Sequence, residues 1–260
     1  MSYMFDSAKS FNQDISQWDV SSVNDMRYMF KSAESFNQPI GNWNMGNVKH
    51  YYDLLKNASS FNQDISKWPF PKEELQSLVE GCTSFNPKNL ELQEQNFINQ
   101  KLDDNLIRKA VLLMKEDKAK GLEIYGPMSE WDVSEVTNMS RLFQEYPAAI
   151  KNISNWNVAN VTDMSYMFYG AKSFNQNIGG WDTSNVTNMK CMFMDCKSFN
   201  QDIGNWNVSS VTDMSSMFSG AKRFNQPIGE WNVSKVIDMS FMFHLAESFD
   251  QFIGNWDVSK

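Results

Sequence analysis

The sequence contains few of the residues that usually carry chemistry. Its 260 residues include three cysteines and two histidines. The histidines, His50 and His244, are far apart in the sequence, and neither has neighbours at metal-ligand spacing. The cysteines do not form the paired framework of a small disulfide-rich protein. A glycine-rich phosphate loop and a nucleophile motif are also missing from the sequence. We therefore expect no catalytic residue, no cofactor and no metal site.

Long apolar runs and clustered basic residues are missing as well. No apolar run approaches the length of about 18 residues that predicts a membrane-spanning helix. The chain has 31 acidic and 23 basic residues, which gives a formal net charge of −8. Sequence-independent binding to phosphate backbones requires clustered Lys and Arg. We therefore expect no membrane span and no nucleic-acid partner.

Tryptophan recurs with a fixed period, and this is the most informative feature that the sequence does have. The spacing is 25 residues throughout, except for one step of 63 residues between Trp68 and Trp131. The nine positions are Trp18, Trp43, Trp68, Trp131, Trp156, Trp181, Trp206, Trp231 and Trp256. A fixed period in this range is typical of proteins in which each repeat packs on its neighbours.

Each repeat combines two periodicities. Val161, Met164 and Phe168 fall at steps of three and four, which is the stripe of a short amphipathic helix. Trp206 and Val208 are separated by one polar residue, which is the alternation of a strand. We therefore predict an α/β solenoid, a leucine-rich-repeat-like right-handed coil with one short parallel strand and one short helix per 25-residue repeat.

A Phe-Asn-Gln triplet follows the helical stripe in most repeats. It begins at Phe11, Phe36, Phe61, Phe174, Phe199 and Phe224. We expect the Phe rings to join the tryptophans in the core. The Asn and Gln amides are expected to satisfy backbone groups in the turn, or to form ladders between repeats.

The repeat motif resembles a known bacterial pattern. The run W-D-V-S-x-V-T-x-M-x-x-M-F-x-x-A-x-x-F-N-Q-x-I is similar to the 25- to 26-residue repeat of bacterial surface lipoproteins, a family distantly similar to BspA-like leucine-rich repeats. The resemblance covers about four fifths of the chain. It implies a leucine-rich-repeat-type solenoid displayed at the cell surface or outside the cell, in contact with protein or matrix. It implies no catalytic residues.

The long tryptophan step divides the chain into two predicted arrays. The first array spans residues 1–88, with about three repeats and a degenerate one, and 89–101 form a linker. The second array spans 102–260 and contains six Trp-anchored repeats. A helix at 102–120 is expected to cap the open end of that second array. A single kinked solenoid with a helical insertion is the alternative.

Both ends of the chain fall inside a repeat. Residues 1–5 match the helical stripe that begins at Met26, and the chain stops where the next stripe is expected. Two interpretations are open, a fragment of a longer array or a subunit that stacks head to tail through its ends.

The positions beside the tryptophans predict a polar interaction surface on the outward side of the sheet. They carry acids interleaved with amides, which suit a basic protein segment, a glycan or weakly held calcium. The candidate residues are Glu130, Asp132, Asn155, Asn157, Asp182, Asn205, Asn207, Glu230, Asn232, Asn255 and Asp257. We predict a non-catalytic solenoid for protein or surface interaction. The alternatives are a head-to-tail structural subunit and a carbohydrate-binding module that uses this polar face.

Overall fold

The computed structural model describes residues 1–90, 100–146, 150 and 152–260. The α-helices in this part of the chain are α1 at Lys72–Leu78, α2 at Asp104–Glu116 and α3 at Lys118–Tyr125. Short 3-10 helices lie at Pro87–Leu90 and Met128–Glu130. The remaining described residues form turns, extended segments and isolated parallel bridges.

The chain divides into two compact units. Unit 1 comprises Met1–Gln95 and Asp104–Leu112, and unit 2 comprises Asn96–Asp103 and Leu113–Lys260. Most of the predicted linker at 89–101 lies outside the described residues. The predicted capping helix at 102–120 forms as α2 and α3 instead of one helix, and the first nine residues of α2 belong to unit 1.

Hydrogen bonds to the second repeat explain why the start of α2 belongs to unit 1. The buried Asn105 side chain donates to the Trp43 carbonyl at 2.6 Å and accepts from the Met45 backbone N–H at 2.8 Å. The Asn44 amide donates to the Asp104 carboxylate at 2.7 Å. Since leaving a buried amide unsatisfied is costly, these bonds fix the helix on this unit.

The apolar stripe that predicts a short helix forms consecutive turns instead. In one repeat of unit 2, the Met167 N–H donates to the Met164 carbonyl and the Ala171 N–H donates to the Phe168 carbonyl. Both turns have a positive φ at their third residue, 57° at Tyr166 and 68° at Gly170. This is the geometry of a type II turn. A right-handed helix cannot contain these φ values, so the predicted helix is replaced by two turns.

These turns pair with the next repeat along the chain. Alternate N–H groups donate to carbonyls 24 residues further on, as from Met164 to Asn188 at 2.9 Å and from Tyr166 to Lys190 at 2.8 Å. Isolated parallel bridges link Asn138, Asp163, Asn188, Asp213 and Asp238. Parallel pairing in these repeats therefore runs through the turn segment. The Trp-x-Val segment keeps the predicted alternation, with Trp206 and Val208 buried and Asn207 exposed.

The core of each unit is built from columns of equivalent side chains. In unit 2 one column of stacked rings has centroid separations of 5.6–5.8 Å and consists of Phe143, Phe168, Phe193, Phe218 and Phe243. The indole N–H of Trp206 donates to the Ile178 carbonyl at 3.0 Å, and Trp231 donates to Ile203 at 3.2 Å. Each repeat thus provides both packing and hydrogen-bond partners for the next. The right-handed solenoid class itself stays a prediction.

Candidate interaction surfaces

The predicted polar face is largely accessible to solvent. Ten of its eleven residues are exposed, and Asp132 is partly buried. The indoles between them point inward, and Trp156, Trp181, Trp206 and Trp231 are 3–4% exposed. Buried rings thus alternate with exposed acids and amides along this side of unit 2.

The polar-face residues that follow each tryptophan stabilise their own turns. The Asp182 carboxylate accepts from the Ser184 backbone N–H at 3.0 Å, and the Asn207 side chain accepts from the Ser209 N–H at 3.1 Å. The Ser184 hydroxyl and N–H together lower the pKa of Asp182 below its usual value. The same bond occurs at Asp132, Asn157, Asn232 and Asp257. One oxygen of each of these side chains therefore has a structural role.

The polar-face residues that precede each tryptophan have no such role. They are Glu130, Asn155, Asn205, Glu230 and Asn255. Their side chains are exposed and make no hydrogen bond or ion pair with another residue in the described part of the chain. These five positions are the ones whose carboxylates and amides are available to a partner.

The Phe-Asn-Gln amides form the ladder that the sequence predicts. The Asn200 side-chain oxygen accepts from the Asn225 backbone N–H and from the Gln226 amide, both at 2.9 Å. Asn175 receives the equivalent bonds from Asn200 and Gln201 at 2.9 and 3.0 Å. Because their acceptors are used between repeats, these amides hold the repeats in register.

One cavity among the described residues opens on the turn side of unit 2. It has a volume of about 590 Å³, and its lining includes Glu145, Tyr146, Tyr169, Gly170 and Asp195. The lining is therefore polar and aromatic, and it includes the carboxylates of Glu145 and Asp195. Within the described ranges, no cluster of three or more Cys, His, Asp or Glu side chains is arranged to hold a metal ion.

Three tyrosines in unit 1, two exposed and one partly buried, form a patch that the sequence does not predict. Tyr3, Tyr28 and Tyr52 come together on the turn segments of successive repeats. Tyr52 is 24 residues after Tyr28, so the period of 25 alone does not place it in the same column. The recurrence of Tyr at positions 3 and 28 was the available signal.

Comparison with protein families places the repeats in a known group. One family model matches residues 1–92, 114–214 and 178–260, and is described as "Mycoplasma protein of unknown function, DUF285". The chain belongs to the DUF285 family. Three matches of one DUF285 model along a single chain, of which the last two overlap, confirm a repeat protein. The match does not extend to BspA-like repeats specifically. Neither the curated proteins nor the solved structures gave a match.

The helices of this DUF285 chain are short. Across the residues that the structure describes, none combines the length and the apolar character needed to cross a bilayer.

Proposed function

We propose that this chain is a non-catalytic repeat solenoid that binds a protein partner through the polar face of unit 2. The observation that carries the proposal is the column of five exposed side chains ahead of the tryptophans. Glu130 and Glu230 contribute carboxylates, and Asn155, Asn205 and Asn255 contribute amides. The first four precede a buried indole and Asn255 precedes the partly buried Trp256, so a partner meets side chains whose backbone is already ordered.

The chemistry of this face favours a basic protein segment. The chain has a net charge of −8, which attracts cationic partners. Carboxylates on the face are interleaved with amides. The carboxylates can accept hydrogen bonds from Lys or Arg of a partner, and the neighbouring Asn amides can bond the partner's backbone. The resemblance to surface-lipoprotein repeats supports display at a cell surface. Membership of a repeat family supports the solenoid architecture.

Charge-removing substitutions on the face test the proposal. A triple variant, Glu130→Gln, Asp182→Asn and Glu230→Gln, removes three negative charges, while Asn at 182 keeps the acceptor for Ser184. The control variant, Glu145→Gln, Asp195→Asn and Glu247→Gln, makes the same charge change on the turn segments. Fluorescence anisotropy would measure binding of a labelled lysine- and serine-containing peptide. The face variant is expected to bind about tenfold more weakly than the control. Equal loss in both variants would contradict a specific face.

Head-to-tail assembly is a second candidate function, favoured by the exposed apolar surface of the last repeats. Five large apolar side chains there are 62–73% exposed, namely Ile237, Phe241, Leu245, Phe252 and Val258. Single exposed apolar residues are common, whereas five of them between residues 237 and 258 favour an interaction surface. Light scattering should then show a mass that rises with concentration. A constant monomer mass would rule this candidate out.

A further inference from the structure

A group of aromatic and cationic side chains lies on the turn segments of unit 1. We call Tyr3, Tyr28, Tyr52, Arg27 and Lys31 the tyrosine patch. The Tyr3 ring stacks on Tyr28 with centroids 4.6 Å apart, and Tyr52 stands edge-on to Tyr28 at 4.9 Å. Tyr3 is 55% exposed and Tyr52 is 51% exposed. Rings of this size are normally largely buried, so this patch presents unusual aromatic area to solvent.

The cations of the patch cover ring faces and are themselves paired with acids. The Arg27 guanidinium lies 5.7 Å from the Tyr52 ring centroid, and the Lys31 amino group lies 5.0 Å from that of Tyr28. Arg27 forms an ion pair with Asp25 at 2.6 Å, and Lys31 one with Asp53 at 3.8 Å. Positive and negative charges therefore balance within the patch. A strongly charged ligand would have to displace these ion pairs, whereas an uncharged one would not.

The rings of the patch are held in place by the backbone of the repeats. The Tyr3 N–H donates to the Arg27 carbonyl at 2.9 Å, and the Tyr28 N–H donates to the Tyr52 carbonyl at 3.3 Å. The adjacent Tyr52 side chain raises the pKa of Tyr28 to about 12. Because the backbone is ordered by these bonds and the rings pack against one another, a ligand would lose little affinity to ordering them.

We propose that the tyrosine patch binds an uncharged carbohydrate chain. A sugar ring has apolar C–H faces and a rim of hydroxyls, so it needs flat apolar surface next to hydrogen-bond donors and acceptors. The exposed parts of the Tyr3 and Tyr52 rings supply apolar surface, and the tyrosine hydroxyls supply polar contacts. The Arg27–Asp25 pair adds charged donors and acceptors, which bond neutral hydroxyls strongly. Rings contributed by successive repeats suit a ligand that is itself a polymer of similar units.

The charge balance also favours a glycan over a protein segment at this place. The proposed protein partner is basic and would use the acidic polar face of unit 2, while the tyrosine patch has no excess of either charge. The two surfaces use different residues in different units. The carbohydrate proposal can therefore be tested independently of the function proposed above.

A glycan array followed by calorimetric titration tests this proposal. The array should contain uncharged and anionic oligosaccharides, and the wild type is expected to prefer the uncharged ones. The double variant Tyr3→Leu with Tyr52→Leu changes two half-exposed side chains, and should bind about tenfold more weakly. Tyr166→Leu replaces a partly buried tyrosine at the equivalent turn position of unit 2, outside the patch, and should bind like the wild type. Circular dichroism would confirm that each variant is folded.

Several results would overturn the proposal. One is the absence of binding to any uncharged glycan by the wild type. Another is equal binding by the wild type and the tyrosine double variant. Loss of glycan binding in the Glu130, Asp182 and Glu230 triple variant, with no loss in the tyrosine variant, would assign the glycan to the polar face instead. A protein ligand that requires Tyr3 and Tyr52, in the absence of glycan binding, would also contradict it.

Discussion

Lys109 of α2 shows how a single residue links the ionisation of a side chain to the stability of unit 1. Its amino group donates to the Ser66 carbonyl. Burial lowers the pKa of Lys109 from 10.5 to about 8, and the Asp64 carboxylate acts weakly in the opposite direction. A lysine with a lowered pKa opposes folding when charged, because the unfolded state holds its proton more tightly.

The pH dependence of stability tests the environment of Lys109. Between about pH 8 and pH 10.5 the unfolded chain binds more protons at this group than the folded chain, so its contribution to stability rises with pH. Below about pH 8 the lysine is charged in both states and its cost is constant. The Lys109→Met variant removes this titration. Urea unfolding should therefore show the wild type gaining stability relative to the variant as the pH rises through this range.

A difference between wild type and variant that does not change with pH would contradict this account of Lys109. Lys115→Met, at an exposed position of the same helix, is the control for loss of one positive charge.

At the scale of one repeat, the sequence predicts which residues are buried but not the local backbone. Met164, Met167 and Phe168 are fully buried, as their spacing indicates. Four-residue turns also return the chain to one side every three or four residues, so the same spacing fits turns as well as a helix. The distinguishing signal was the residue type at 170 and 220, where Gly adopts a positive φ.

Substitution by glycine distinguishes a turn from a helix by the sign of its effect. Ser216 has a φ of 56° at the third position of a turn. A non-glycine residue is strained in this region, so Ser216→Gly should stabilise the fold by about 0.5–1 kcal/mol. In a helix the same change would cost about 1 kcal/mol. The measurement is the free energy of unfolding in urea.

The neighbouring Ser210 provides a matched control for this substitution. It is partly buried and is not among the residues with a positive φ. Ser210→Gly should therefore destabilise the protein slightly. Destabilisation of similar size by both substitutions would contradict the turn geometry.

At the scale of the whole molecule, periodicity predicts the core and the ladder, while surfaces formed across repeats are harder to find. The Trp, Phe and Asn columns follow from a period of 25 because equivalent residues become neighbours. The tyrosine patch could not be derived in this way. Tyr52 is not at the equivalent position to Tyr28, and only the turn geometry brings the two rings within 4.9 Å.

The predicted capping helix at the start of the second array is a further feature whose packing the periodicity does not predict. A cap was expected from the apolar pattern of 102–120, but that pattern does not say which end it covers. The Asn105 side chain bonds Trp43 and Met45, and these bonds hold the first part of α2 on unit 1. Such a bond between distant segments has no signature in a single sequence.

The central claim is that 25-residue repeats stack through equivalent positions, and removal of one whole repeat tests it most directly. Deletion of residues 184–208 joins Thr183 to Ser209 and keeps every Trp, Phe and Asn column in phase. Deletion of residues 184–195 removes about half a repeat and puts the columns out of phase.

Urea unfolding of the two deletion variants is the measurement. If equivalent positions stack, the whole-repeat deletion should still unfold cooperatively. Its free energy of unfolding should depend less steeply on urea concentration, in proportion to the surface area that the missing repeat no longer buries. The half-repeat deletion should lose cooperative unfolding. A whole-repeat deletion that fails to fold, or a half-repeat deletion that folds equally well, would contradict stacking of equivalent positions.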